Sequence, residues 1–244
     1  MDDDEIDLVY ERNIDSLPLN FSENRTLSNF ISIHPEQDSL HFLSTNATYV
    51  VGEDILHCRG VKEIAVADSR VFPDSGRITV RRDAEMDELR NAQLVCNATT
   101  QYHLIESATL IIDGRYDFHG AGEYQYRGGD WPSQILILDE IAVNSDLETY
   151  AMGSVFARDA FMLDPHFPFA GEFTMNAGNE FLMFRGGAQM TKTCRQFQPA
   201  WIQFEATINP NQVAIPLPKQ PLDIDGDPLA CGMMYSKRAP FNLY

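Results

Sequence analysis

Positive charge is scarce in this chain: 18 Lys and Arg stand against 36 Asp and Glu, a formal net charge of −18 over 244 residues. A body that acidic repels phosphate backbones, which argues against nucleic acid and anionic membrane surfaces as partners. Long apolar runs are missing too. No stretch approaches the roughly 20 apolar residues that a membrane-spanning helix requires. The opening Met1-Asp2-Asp3-Asp4-Glu5 is the opposite of a secretory leader, which starts with positive charge before an apolar core. The last residues, Phe241-Asn242-Leu243-Tyr244, follow a strand-like run from Leu229 to Tyr235 without a polar tail. The start fits either a cytosolic protein or a cut in a longer chain, and the cut is favoured, with the end read the same way.

The usual catalytic signatures are also absent. There is no HExxH, no GxSxG elbow, no phosphate-cradling Gly loop and no GxGxxG opening a helix. Gly128-Gly129 and Gly186-Gly187 lack the lysine or helix that would make them phosphate loops, and read as hairpin turns. The four cysteines, Cys58, Cys96, Cys194 and Cys231, have no CxxC or Cys/His spacing, so a zinc site has little support. They read as free core cysteines, or as one long-range disulfide in an oxidising compartment. No cofactor is expected.

What the chain does contain is strand grammar. Its apolar fraction of 44% and charged fraction of 22% are those of a folded domain. Leu40-His41-Phe42-Leu43, Ile78-Thr79-Val80, Ile135-Leu136-Ile137-Leu138 and Trp201-Ile202-Gln203-Phe204 are short runs rich in strand formers, bounded by Gly, Asp, Asn and Pro. Asp83 to Leu94 is the one stretch that invites a helix, but an internal repeat accounts for it better. Ile78, Met86, Leu89, Ala92 and Leu94 recur 16 positions later as Leu94, Tyr102, Ile105, Ala108 and Leu110, the length of one rung or hairpin of stacked β structure. Phe118-His119-Gly120-Ala121-Gly122-Glu123-Tyr124-Gln125-Tyr126 is echoed 49 positions on by Phe167-Pro168-Phe169-Ala170-Gly171-Glu172-Phe173-Thr174-Met175. The glycines there predict a bulge or a close backbone approach. The predicted fold is all-β, a repeat-built antiparallel jelly roll or solenoid-like stack. Its parts are an irregular acidic lead-in over 1–37, a first β region over 38–115 and a second over 116–244. The second holds a Pro-punctuated connection at 209–228, since Pro cannot sit in a central ladder.

The stretches Asp38-Ser39-Leu40-His41-Phe42, Ala47-Thr48-Tyr49 and Ile55-Leu56-His57-Cys58-Arg59-Gly60-Val61 resemble the cadence of the OstA-like β-jelly-roll family of the periplasmic lipopolysaccharide-transport bridge. Tyr102-His103, Ser107-Ala108-Thr109, Gly122 to Tyr126, Asp164-Pro165-His166-Phe167 and Ile208-Asn209-Pro210-Asn211 resemble segments of large envelope proteins of Bacteroidota. The resemblance covers most of 38–244 and brings no catalytic residue. It implies an exported protein of the periplasm or cell envelope, whose partners are other segments of a larger chain or envelope proteins. In that setting Asp15-Ser16-Leu17 and Asp38-Ser39-Leu40 fit the phylum's three-residue O-glycosylation pattern. The N-glycosylation triplets at Asn20, Asn24, Asn46 and Asn97 read as turn-forming Asn unless the protein is secreted by a eukaryote.

Few residues are candidates for chemistry. Asp223-Ile224-Asp225-Gly226-Asp227 alternates carboxylates before a Gly, as calcium loops do, but the twelfth position from Asp223 is Met234 rather than Glu. An acidic turn between strands accounts for it better. His103, His119 and His166 could act as acid–base groups with Asp113, Glu123, Asp130, Glu140 or Asp164, while His34, His41 and His57 show no spacing. Paired carboxylates across a groove would suit glycoside hydrolysis, although so acidic a chain offers such pairs everywhere. Tyr124, Tyr126, Trp131 and Trp201 could form a sugar-stacking platform or could pack in the core. The expectation is a non-enzymatic scaffold or interaction segment of a larger envelope protein, in its sharpest form part of a lipid conduit. The alternative is a glycan-binding module or degraded carbohydrate-active enzyme.

Overall fold

The computed structural model describes residues 5–8, 27–129, 131–191, 199–229, 234–235 and 240–241. Among them the regular structure is β-strand, broken only by single 3-10 turns such as Pro35–Gln37 and Ala157–Asp159. The chain is all-β, and its sheets are antiparallel. It forms two compact units, each assembled from separated stretches. One holds Met1–Gln125, Ile135–Gly153 and Met175–Glu180; the other holds Tyr126–Gln134, Ser154–Thr174 and Phe181–Tyr244. These units interleave along the chain, whereas the regions drawn from sequence at 38–115 and 116–244 are consecutive.

The first unit contains a small sheet of β1 (Glu5–Leu8), β4 (Asn46–Val50), β5 (Ile55–Arg59) and β8 (Arg77–Val80), in the order β1-β4-β5-β8. Its larger sheet uses β2 (Ser28–Ile31), β3 (His41–Ser44), β6 (Ile64–Val66), β7 (Ser69–Phe72), β9 (Leu89–Cys96), β10 (His103–Gly114), β11 (Asp117–Tyr126), β12 (Gln134–Val143) and β13 (Thr149–Val155). The order there is β2-β3-β6-β7-β9-β10-β11-β12-β13. β1 and β2 fall within 1–37, the part read as irregular: β1 pairs with β4, some forty residues on, and β2 with the next strand, β3.

The sixteen-residue repeat turns out to be a hairpin. β9 and β10 pair antiparallel, with Leu94 opposite Ile105, Ala92 opposite Ala108 and Leu89 opposite Leu110. All but Leu89 are 0% exposed, and Leu89 is 6%. Burying such Leu and Ile side chains contributes roughly 1.5–3 kcal/mol each. The two copies are thus the arms of one hairpin, their apolar positions meeting in mirror register. Each arm carries a left-handed residue just before its alanine, Asn91 at φ 53° and Ser107 at φ 50°. The ladder shifts register at both places. A bulge lets two consecutive residues face outward without flipping the inward pattern. Arg90-Asn91 and Glu106-Ser107 are those outward pairs, and Ala92 and Ala108 return to the core. The stretch from Asp83 to Leu94 is therefore a 3-10 turn at Arg82–Ala84 followed by β9.

In this unit the large sheet bends enough to bring the starts of β7 and β13 together. Asp68 Oδ1 accepts the backbone N–H of Thr149 at 3.0 Å, the Thr149 hydroxyl at 2.5 Å and the Ser69 hydroxyl at 3.0 Å. Ser69 and Thr149 are 2% and 0% exposed. Buried hydroxyls must be satisfied, and one carboxylate oxygen serves both.

The second unit is built on β14 (Met162–Asp164), β15 (Phe167–Asn176), β16 (Met183–Ala188) and β17 (Ile202–Thr207), with β15 paired to both β14 and β16 and β16 to β17. β18 (Met234–Tyr235) pairs with β19 (Pro240–Phe241). Its core is aromatic. Phe184 has the rings of Phe169 at 5.1 Å, Tyr126 at 5.7 Å, Phe161 at 6.1 Å and Phe173 at 6.1 Å. The Phe169 and Tyr126 rings meet Phe184 edge-to-face, and such pairs contribute about 0.5–1.5 kcal/mol beyond their area.

The segments of the 49-residue echo lie in β11 and β15, both ten-residue strands that follow tight turns and carry Ala-Gly-Glu near their centres. Gly122 lies where a Cβ would meet Ile105 Cγ2 at 2.7 Å, and Gly171 where it would meet the Arg185 carbonyl at 2.4 Å. Gly186-Gly187 is not a hairpin turn. It lies inside β16, where Gly186 faces Gly171 across the ladder and Gly187 makes room for Ile224 and Trp201. The Pro-punctuated stretch 209–228 contains no named strand, only single bridges of Asp223 to Ile202 and Leu222 to Pro228.

Candidate functional site

The twin bulges decide where the first unit is open. On the outer face, Phe72 of β7 pairs with Gln93 of β9, and Glu106 of β10 pairs with Glu123 of β11. Gln93 and Glu106 adjoin the Leu94–Ile105 pair, so the four residues form one row across four neighbouring strands. Three strand spacings of roughly 4.8 Å make this row about 14 Å long. Asn91 and Ser107, turned outward by the bulges, and Asp74, Ser75 and Gln125 complete the lining of an open cleft of about 520 Å³.

Polar groups dominate this cleft, and no Lys or Arg lines it. Gln125 Nε2 donates to Glu106 Oε2 at 2.6 Å, fixing one carboxylate. Among the described residues, the side chains of Asn91, Gln93, Ser107 and Glu123 have no protein partner. Carboxylates accept, primary amides both donate and accept, and the Phe72 ring supplies an apolar wall. Such a set can bind a neutral, hydroxyl-rich molecule; three carboxylates without a cation repel an anionic one.

A second concavity, of about 420 Å³, lies in the other unit. Gly171, Gly186 and Gly187 leave its floor free of side chains, and Phe156 and Ile224, 55% and 51% exposed, stand at its sides. The Arg158 guanidinium sits 4.7 Å from the centre of the Phe156 ring.

The four aromatics read from sequence as a sugar platform are divided between the two units. Tyr126 is 2% exposed, at the heart of the aromatic core, and its hydroxyl donates to the Leu163 carbonyl at 3.2 Å. Trp131 packs 5.8 Å from Tyr126, and Trp201 lies over Gly187. Tyr124 belongs to the first unit and meets His103. Burial of Tyr126 removes the flat exposed face that stacking needs, while Tyr124, Trp131 and Trp201 are half-buried.

Asp223 Oδ1 accepts the backbone N–H groups of Asp225 at 3.0 Å and Asp227 at 2.8 Å, closing a turn. No three His, Cys, Asp or Glu side chains converge to hold a metal ion among the described residues.

The histidines are equally dispersed. His119 Nδ1 lies 3.2 Å from Asp113, both about half exposed. Asp164 accepts the backbone N–H of His166 at 2.6 Å, and Glu140 accepts the Tyr150 hydroxyl at 2.7 Å. His41 and His57 reach Ser39 and Thr79, and His34 has its backbone N–H on Ser32. Glu123 is the one member of this group that lines the cleft.

His103 faces Cys96 across the β9–β10 ladder, a pairing the sequence pass overlooked. It is not an activated pair. The Asn179 carbonyl, 2.6 Å from Nε2, can only accept, so Nε2 carries the proton and Nδ1 accepts from the Tyr124 hydroxyl at 3.1 Å. Burial holds the His103 pKa below its ordinary value and pushes the Tyr124 phenol up to about 12. Burial also drives the Cys96 thiol far upward, and the Cys58 thiol to about 11, so both stay protonated. Cys58 and Cys96 are free and buried. Cys194, Cys231, Asp130, Asp15-Ser16-Leu17, Asn20 and Asn24 lie outside the described residues. Asn97 is a turn former, its Oδ1 accepting the backbone N–H groups of Thr99 and Thr100 at 3.0 and 3.1 Å. Asn46 is exposed at the start of β4.

What the sequence pass missed was the cleft. Its trace was visible: two consecutive polar residues break the alternation at Arg90-Asn91 and again at Glu106-Ser107, 16 positions apart. Comparison of the chain with protein families, curated proteins and solved structures finds no match.

Proposed function

We propose that this chain is a non-enzymatic scaffold or interaction segment of a larger, exported cell-envelope protein, built by copying strand units. The observation that carries the reading is the pair of ten-residue strands, β11 and β15, each with Ala-Gly-Glu near its centre and a glycine whose Cβ would meet a neighbouring strand, the Ile105 side chain at Gly122 and the Arg185 backbone at Gly171. Copied hairpins extend a sheet without demanding a new core for each addition. The neutral, hydrogen-bonded His103 and the protonated Cys96 agree with a structural use for the groups closest to catalytic type. The exposed Ile135 and Ile137 of β12, 60% and 52% exposed beside buried Leu136 and Leu138, offer apolar surface for a neighbouring segment.

The scaffold form is favoured over the lipid-conduit form, because the inward faces are filled. Leu94, Ile105, Leu110 and Leu138 in the first unit and Phe184 in the second are 0% exposed, whereas a conduit needs an unfilled apolar lining. Fractionation of cells that make the protein, followed by immunodetection with an antibody raised against this chain, tests the assignment. Recovery with the envelope or periplasm is expected, and recovery with the cytosol would refute it.

A further inference from the structure

We propose that the outer cleft of the first unit is a glycan site that takes a neutral oligosaccharide along the row Phe72–Gln93–Glu106–Glu123. This goes beyond the envelope-scaffold reading and stands or falls separately from it. It also uses residues other than the aromatics that sequence suggested.

Three features carry the inference. The first is the cross-strand pair of Glu106 and Glu123. Like charges directly opposite in a ladder are destabilising, and neither glutamate has a cation in the cleft lining. Hydroxyl donors placed between them would satisfy both carboxylates at once.

The second feature is the balance of donors and acceptors. Each sugar hydroxyl both donates and accepts, so it is matched by amides set beside carboxylates. Gln93 and Asn91 supply the amides, Glu106 and Glu123 the acceptors, and Gln125 holds Glu106 in place at 2.6 Å. A bare cation is a poorer fit, since no three acidic groups converge among the described residues. The third feature is shape. The row crosses four neighbouring strands with an aromatic ring at one end, which suits an extended chain better than a compact ligand.

Isothermal titration of the full chain with cellohexaose, xylohexaose, laminarihexaose, mannohexaose and maltohexaose tests the proposal, with polygalacturonate fragments and calcium chloride as comparators. At least one neutral hexaose should bind, and neither comparator should. Glu123→Ala and Gln93→Ala should each weaken that binding about tenfold, the loss expected for a hydrogen bond to a charged or well-placed polar group. Trp131→Ala should bind as the parent does, with thermal melts confirming that every variant is folded at the titration temperature. Failure of all five neutral sugars would overturn the proposal, as would tighter binding of the anionic fragments or of calcium. Unchanged affinity in Glu123→Ala, or loss in Trp131→Ala alone, would move the site elsewhere. None of these results bears on where the protein resides in the cell.

Discussion

At the scale of single residues, Asp68 and His103 show how a few polar side chains fix an otherwise apolar interior. Asp68 Oδ1 joins residues 81 positions apart through Thr149, while its Oδ2 is buried without a partner among the described residues. Asp68→Ala removes the acceptor from two buried hydroxyls and a backbone N–H, and should cost about 1–3 kcal/mol in urea unfolding. A change within about 0.5 kcal/mol, the usual surface range, would show that the staple contributes little. His103 carries a pH signature. Burial lowers its pKa in the folded chain, so below the ordinary value of about 6.5 the unfolded chain takes up a proton that the folded chain refuses. The stability it supports is present above that pH and is lost as pH falls toward the folded pKa. His103→Gln should flatten the decline of stability between about pH 7 and 5, by at most about 1.4 kcal/mol per pH unit. Parallel stability curves for parent and variant would exclude this, because the carboxylates common to both cancel.

At the scale of elements, the twin bulges and the glycine pair explain features that composition leaves open. In β9 and β10 the inward pattern survives two consecutive polar residues only because Asn91 and Ser107 adopt left-handed geometry. In β15 and β16, Gly171 and Gly186 sit opposite each other with φ of 148° and 159°, and a Cβ on Gly171 would lie 2.6 Å from the Gly186 Cα. Gly171→Val should therefore destabilise the protein by more than about 1 kcal/mol, through both clash and backbone strain. The neighbouring Ala170→Val, on a residue of ordinary backbone geometry, should cost less. Comparing the two melts checks this, and equal losses would mean that crowding alone, and not the cross-strand approach, sets the requirement.

At the scale of the molecule, strands are assembled into two units from interleaved stretches of chain. The first keeps a hairpin core of Leu, Ile and Ala, and the second keeps a cluster of aromatic rings. Both expose a concavity beside the strand that carries Ala-Gly-Glu: a polar one beside Glu123 and an apolar one beside Gly171. One strand pattern thus supports two different surfaces, because the flanking strands supply the chemistry. The envelope assignment and the glycan site belong to this scale, and fractionation and titration test them independently.

The sequence by itself determined the all-β class, several strand positions such as Ile78–Val80 and Ile135–Leu138, and the glycine positions near the centres of β11 and β15. Alternation, β-branched composition and turn residues are local properties that each segment carries with it. Only the tertiary structure decided that the sixteen-residue copies close on each other as a hairpin, since parallel stacking and mirror pairing leave the same apolar spacing. It also decided that Tyr126 fills a core and that Phe72, Gln93, Glu106 and Glu123 share a row. Those residues are up to 51 positions apart, and their meeting depends on strand order and register. Register is set by packing against partners that no local pattern names.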